Sequence, residues 1–243
     1  MAANGIDCFA KGIDLVRRPG LRQYVIIPLM INVIVLGVLL FWGLSQFDVL
    51  HGAVIAWLPE WLSFISWLLS FLVALVVVAI SLFAFSIIAN IIASPFNAIL
   101  SERVEMLLVP GLKHEPTNMA LLLPRAVARE LSKLVYLLPR LLGLVILSLI
   151  PGLNALAPFA WLLFGAWMMA VQYSDYAADN NQVPFGDLRR RLNGKVFQSL
   201  LFGICAYFLL AIPLLNLVLI PIAVAGGTAF WVEHLRTGEV TGP

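Results

Sequence analysis

Charge is scarce in this chain. Asp, Glu, Lys and Arg make up 12% of its 243 residues, against 62% hydrophobic residues and a mean hydropathy of +0.99, which excludes an ordinary water-soluble domain. Four stretches hold none of these charges at all: residues 23–47, 61–101, 141–174 and 196–232. Each exceeds the roughly 20 apolar residues that a membrane-spanning helix needs. Cysteine is scarce too. Cys8 and Cys205 stand far apart with no CxxC or Cys/His cluster, so both read as structural and neither a disulfide nor a metal site is expected. The three histidines, His51, His114 and His234, are scattered. A net charge of +2 is too small to point to nucleic acid.

Catalytic signatures are missing as well. There is no G-x-x-x-x-G-K-[ST], G-x-S-x-G, H-E-x-x-H or G-x-G-x-x-G run, so nucleotide hydrolysis and the common hydrolase and dinucleotide chemistries are not expected, nor any cofactor. The apolar blocks offer little polar beyond serines and Asn32, Asn90, Asn97, Asn154 and Asn216. An intramembrane enzyme would need more polar groups at depth, so the chain reads as a non-enzyme.

What charge there is lies on one side. The first 22 residues carry Asp7, Lys11, Asp14, Arg17 and Arg18 among Ile6, Phe9, Ile13 and Val16, a helical spacing that reads as an amphipathic helix on the membrane surface and not as a signal peptide. The first apolar block ends in a segment with Asp48, His51 and Glu60 but no Lys or Arg, and the second delivers the chain to Glu102, Arg103 and Lys113. The positive-inside rule therefore places the first connection outside and the second in the cytoplasm. All 15 Lys and Arg residues fall in segments expected inside, which puts both termini in the cytoplasm.

The last two apolar blocks resemble each other. Ile150-Pro151-Gly152-Leu153-Asn154 followed by Pro158 recurs as Ile212-Pro213-Leu214-Leu215-Asn216 followed by Pro221, so each block should fold as a helix, a break and a helix. From Arg140 to Asn154 is roughly 21 Å of helix, short of a hydrocarbon core of about 30 Å. The expected fold is all-α and membrane-embedded, a single domain over 1–243: an amphipathic helix at 1–19, transmembrane helices at 23–44 and 61–93, and half-penetrating hairpins at 134–175 and 196–233. A six-span bundle is the alternative. Broken backbone at membrane depth is tolerated where it lines a wet cavity, which makes the Asn154 and Asn216 apices candidates for a permeation pathway.

Two polar clusters stand out. In Arg17-Arg18-Pro19-Gly20-Leu21-Arg22, Pro19 and Gly20 end one helix just before the first span begins. Free N–H groups at Gly20, Leu21 and Arg22 beside guanidiniums would suit a tetrahedral oxyanion; the same arginines equally suit fixing topology and holding lipid phosphates. The second cluster, Ser94-Pro95-Phe96-Asn97 followed by Ser101-Glu102-Arg103 and Glu105, offers Glu102 and Arg103 as a gate pair, or simply as a solvated helix end. Asp175 and Asp179, with Asn180 and Asn181, read as helix caps or as partners of the Arg189-Arg190-Arg191 run.

Taken together these segments resemble the CysZ family of bacterial sulfate permeases. The resemblance rests on P-G-L-R at Pro19–Arg22 leading to I-P-L-M-I-N ending at Asn32, A-S-P-F-N at Ala93–Asn97, Q-Y-S-D-Y at Gln172–Tyr176, D-N-N-Q-V-P-F at Asp179–Phe185 and I-P-L-L-N at Ile212–Asn216. It implies an oligomeric inner-membrane protein that admits sulfate for cysteine synthesis without hydrolysing ATP, with two long transmembrane helices and two half-penetrating hairpins. It also implies a sulfate site at Gly20, Leu21 and Arg22, which Arg18 would complement. The chain departs from the family pattern at Gln23, where a second arginine is frequent, at Ala177-Ala178, where Pro-Phe is usual, and at Asn181, where His is usual. The competing functional reading is a non-transporting scaffold that binds anionic lipids through its basic face.

Overall fold

The computed structural model describes residues 4–112 and 119–236, and these fold into helices with no strand among them. In chain order they are α1 (Gly5–Val16), α2 (Gln23–Ser45), α3 (Phe47–Ala56), α4 (Ser66–Leu108), α5 (Met119–Leu149), α6 (Ala157–Asn180), α7 (Phe185–Gly194), α8 (Val196–Leu210) and α9 (Pro213–Phe230). Short 3₁₀ turns occupy Glu60–Ile65 and Asn154–Leu156, and a π-turn at Trp231–Leu235 closes the described chain. The chain divides into two compact units, one made of residues 26–94 and the other of residues 1–25 and 95–243.

Four segments are long and apolar enough to cross a membrane: Gln23–Ala56, Glu60–Phe85, Val127–Leu149 and Asn154–Asn180. In a fifth, α7 and α8 meet at a bend of 104°. The protein is an all-α, multi-pass membrane protein.

In the unit of residues 26–94, apolar side chains face outward throughout. Phe41, Trp57 and Trp61 are 78%, 89% and 74% exposed, which is tolerable only where hydrocarbon or protein replaces water. Helices α2 and α4 approach closely where Gly43 meets Ser81, since a Cβ on Gly43 would lie 2.4 Å from the Ser81 Oγ.

In the other unit the core forms where α1, α6, α8 and α9 meet, built largely from small residues. A Cβ on Gly203 would sit 1.9 Å from the Ala166 carbonyl oxygen, and one on Gly12 2.3 Å from that of Ile222. Such small-residue contacts let helix backbones come together where no hydrophobic effect drives them. Helix α1 starts at a reciprocal capping box between Asn4 and Asp7. Its buried stripe, Gly5, Cys8, Phe9, Gly12 and Leu15, docks on α8 and α9. The stripe is occupied by protein, and of the residues expected on the apolar face only Ile6 is well exposed.

Both expected breaks are present. Helix α5 ends at Leu149 and the chain turns through Gly152, whose φ is +85°, while α8 and α9 part at Ala211 and Ile212. Two lengths differ from expectation. Helix α4 runs unbroken through Pro95 to Leu108, well past the end expected for the span at residue 93. Helix α5 joins the basic stretch before Arg140 to the apolar stretch after it, so it is roughly 46 Å long at 1.5 Å per residue and is not limited to the charge-free arm. By contrast α8, with 15 residues, spans about 22 Å and is shorter than the roughly 30 Å core.

Candidate functional site

The turn from Arg17 to Arg22 joins α1 to α2. Leu21 is buried and pins the turn to the core. Gly20 adopts φ +89° in open space, a left-handed conformation that favours glycine. The Leu21 N–H donates to the Arg18 carbonyl (3.2 Å), and the Arg22 Nε donates to the Arg17 carbonyl (2.6 Å). The expectation of three free backbone donors is thereby corrected, because the turn itself consumes the one on Leu21. No hydrogen bond from the Gly20 or Arg22 N–H is present among the described residues. Arg17, Arg18 and Arg22 are all exposed, so three guanidiniums surround a turn that opens the first span.

On α4 the residues Asn97, Leu100, Ser101, Val104 and Glu105 are buried and recur at helical spacing, while Glu102 is half-buried and Arg103 exposed. The buried carboxylate of this helix end is therefore Glu105, on a different face from the expected gate pair. It receives the Asn181 Nδ2 at 2.9 and 2.7 Å and the Trp231 Nε1 at 3.2 Å. Ser101 and Thr228 share a 2.8 Å hydrogen bond, Asn180 donates to the Ala98 carbonyl, and Asn97 is hydrogen-bonded to Tyr176. These bonds gather the ends of α4, α6 and α9 around Glu105. The spacing of eight residues from Asn97 to Glu105 carried the signal for that stripe.

Among the described residues Asp175 and Asp179 pair with cations of α5 and not with the arginine run, which differs from the expected roles. Asp175 instead accepts from Arg129, Nε at 3.0 Å and a terminal nitrogen at 2.7 Å, and from Lys133 at 3.3 Å. Asp179 lies 3.5 Å from Arg129, whose other terminal nitrogen donates to the Val183 carbonyl. Lys133 further donates to Glu130 (2.5 Å) and to the side-chain Oε1 of Gln172 (3.0 Å). With Trp167 donating to the Tyr136 hydroxyl and Trp161 to Ser148, partners on α6 descend in number as those on α5 ascend, the register of an antiparallel hairpin.

The three consecutive arginines of α7 have separate surroundings. Arg189 lies over the Tyr136 and Phe185 rings, Arg190 is exposed and paired with Asp187, and Arg191 donates to the Leu235 carbonyl beside Trp231. Asn154 sits exposed at the α5–α6 turn, its N–H on the Ile150 carbonyl. Asn216 lies within α9, past the break, and its side chain is outside the described residues.

One group brings metal-ligand atoms together: Cys8, Glu233 and His234 lie within 4.8 Å of one another. Glu233 is ion-paired with Lys11, and burial pushes the Cys8 thiol up to about 12. The Lys11–Glu233 pair and the Cys8 contact with Glu233 tie α1 to the end of the described chain.

The helices, the outward apolar surface and the basic turn at the first span define a multi-pass membrane protein with an exposed cationic site at a helix start. Residues 8–221 match the family described as sulfate transporter CysZ/etoposide-induced protein 2.4. A sulfate transporter CysZ of Pseudomonas aeruginosa is 43% identical over 236 residues, covering 96% of each chain. One of Pseudomonas syringae is 43% identical over 237 residues (96% of this chain, 93% of the relative), and one of Vibrio cholerae 41% over 237 (96% and 95%). This chain belongs to the sulfate transporter CysZ family.

Proposed function

We propose that this protein carries sulfate across the bacterial inner membrane toward cysteine synthesis, with no ATP hydrolysis and no catalytic step, and with both termini in the cytoplasm. The observation that carries the reading is the Arg17–Arg22 turn: three exposed guanidiniums around Gly20 and the start of α2. A dianion gains there from arginine forks and from the positive end of a helix dipole. The names of the relatives, sulfate transporters from three bacterial species, support sulfate as the ion.

In this reading Gly20, Leu21, Arg22 and Arg18 hold sulfate, and Glu102, Arg103, Asn97, Asn154 and Asn216 belong to its route. Two long spans with two hairpins that enter from the cytoplasmic side fit the short α8, and a homo-oligomer completes the assembly. Sulfate moving against a negative interior climbs roughly 4.6 kcal/mol per 100 mV, twice the single-charge value, so uptake draws on a gradient, on consumption or on proton coupling.

The test is uptake of radiolabelled sulfate into proteoliposomes. Wild type should exceed empty vesicles, and Arg22→Ala should lose roughly tenfold, as expected for removal of one charge-assisted contact of about 1.4 kcal/mol. Wild-type uptake no faster than empty vesicles overturns the function, whereas equal uptake by the variant removes Arg22 from the site.

A further inference from the structure

A groove of about 510 Å³ opens between α5 and α7, lined by Leu131, Val135, Tyr136 and Arg140 from one helix and Phe185 and Arg189 from the other. We infer that it binds an anionic phospholipid, with the headgroup phosphate between Arg140 and Arg189 and an acyl chain along the exposed face of α5.

Charge supports this first. The Arg140 and Arg189 guanidinium carbons lie 3.6 and 4.5 Å from the same Tyr136 ring centroid, so they are no further apart than those two distances added together. Neither makes an ion pair among the described residues, and no acidic residue lines the groove. Two close cations with no carboxylate repel each other, and an anion between them removes that cost. The cradle is also preorganised. Trp167 donates to the Tyr136 hydroxyl at 3.0 Å, Phe185 packs edge-on against the Tyr136 ring at 5.9 Å, and Arg140 is tied to the Tyr136 carbonyl.

The apolar surroundings favour a lipid over a free ion. Leu131, Val135, Leu138 and Leu142 continue one stripe of α5, each between 58% and 66% exposed. Arg140 is the last charge before the apolar run of residues 141–174, which sets the two arginines at the depth where headgroups meet hydrocarbon. An inorganic dianion would find half its cradle greasy, whereas a phospholipid fills both halves.

Native mass spectrometry of the full chain in detergent, titrated with dioleoylphosphatidylglycerol or dioleoylphosphatidylcholine, tests the assignment. Phosphatidylglycerol should be retained at least roughly tenfold more tightly than phosphatidylcholine, and R140Q/R189Q should weaken it by roughly 10- to 30-fold, about one kcal/mol per arginine near a lipid surface. R190Q, altering the exposed residue paired with Asp187, should leave it unchanged. If the double variant does not fold, Ser132→Asp places a negative charge in the groove on an exposed residue and should weaken phosphatidylglycerol likewise. Equal retention of the two lipids, or wild-type binding by the arginine or Ser132 variants, overturns the proposal. So does complete displacement of the lipid by equimolar glycerol phosphate or sulfate, which would mark a free-anion site.

Discussion

The two hairpins share an I-P-x-L-N break yet are held together by different forces. Between α5 and α6 the contact is ionic and polar: Arg129 and Lys133 converge on Asp175, Gln172 joins them, and two indole N–H groups reach Tyr136 and Ser148. The α8–α9 hairpin depends on missing side chains. It fits against α6 and α1 because Gly203, Gly226 and Gly227 admit backbone where a Cβ would collide. The difference follows from what each hairpin packs against. One packs α9 and one face of α8 against other helices at close contact; the other leaves a face of α5 exposed, with Val127, Leu131 and Val135 outward, and its two helices hold each other chiefly by a charge lock.

That comparison can be broken at either hairpin. Asp175→Asn leaves Arg129 and Lys133 buried around a neutral amide and should cost roughly 3–5 kcal/mol, read as a large drop in thermal midpoint in detergent. Gly203→Ala should cost roughly 1–3 kcal/mol by forcing α8 from α6; a stability equal to wild type would mean that the helices do not touch there. Replacing Arg129, Lys133 and Asp175 together by Met, Met and Leu should restore most of what Asp175→Asn loses, since buried ion pairs often exchange for apolar groups without loss. Failure to recover would assign the lock a role beyond holding the hairpin. Lys11→Met, at the half-exposed pair with Glu233, should change stability by less than about 1 kcal/mol. Finally Cys8, fully buried and with its thiol pushed up to about 12, should resist maleimide at neutral pH until the protein is unfolded.

Much of this architecture was legible in the residues. Charge-free blocks pointed to an all-α membrane protein, and the repeated proline motif located both breaks, because helix-breaking chemistry is local. The turn at Gly20 was legible for the same reason, although the use of its Leu21 donor by Arg18 was not. The pairing of Asp175 with Arg129 and Lys133 was hidden, since it depends on the register of two helices across a turn, whereas helix capping and the nearer arginine run could be read along the chain. Glu105 was obscured by Glu102 and Arg103: three neighbouring charges look alike until the helix face they occupy is known. What the buried stripe of α1 packs against was not legible, because amphipathic spacing is the same whether the partner is lipid or protein.

The charge lock also bears on how the chain assembles. During synthesis α5 emerges with Arg129 and Lys133 well before Asp175 is made, and like charges four residues apart on a helix cost roughly 0.2–0.5 kcal/mol. Once α6 follows, the same cations meet their carboxylate and that cost falls away. The hairpin is thus a unit of assembly as well as of packing: the cations of α5 gain their shared countercharge only once α6 has been made.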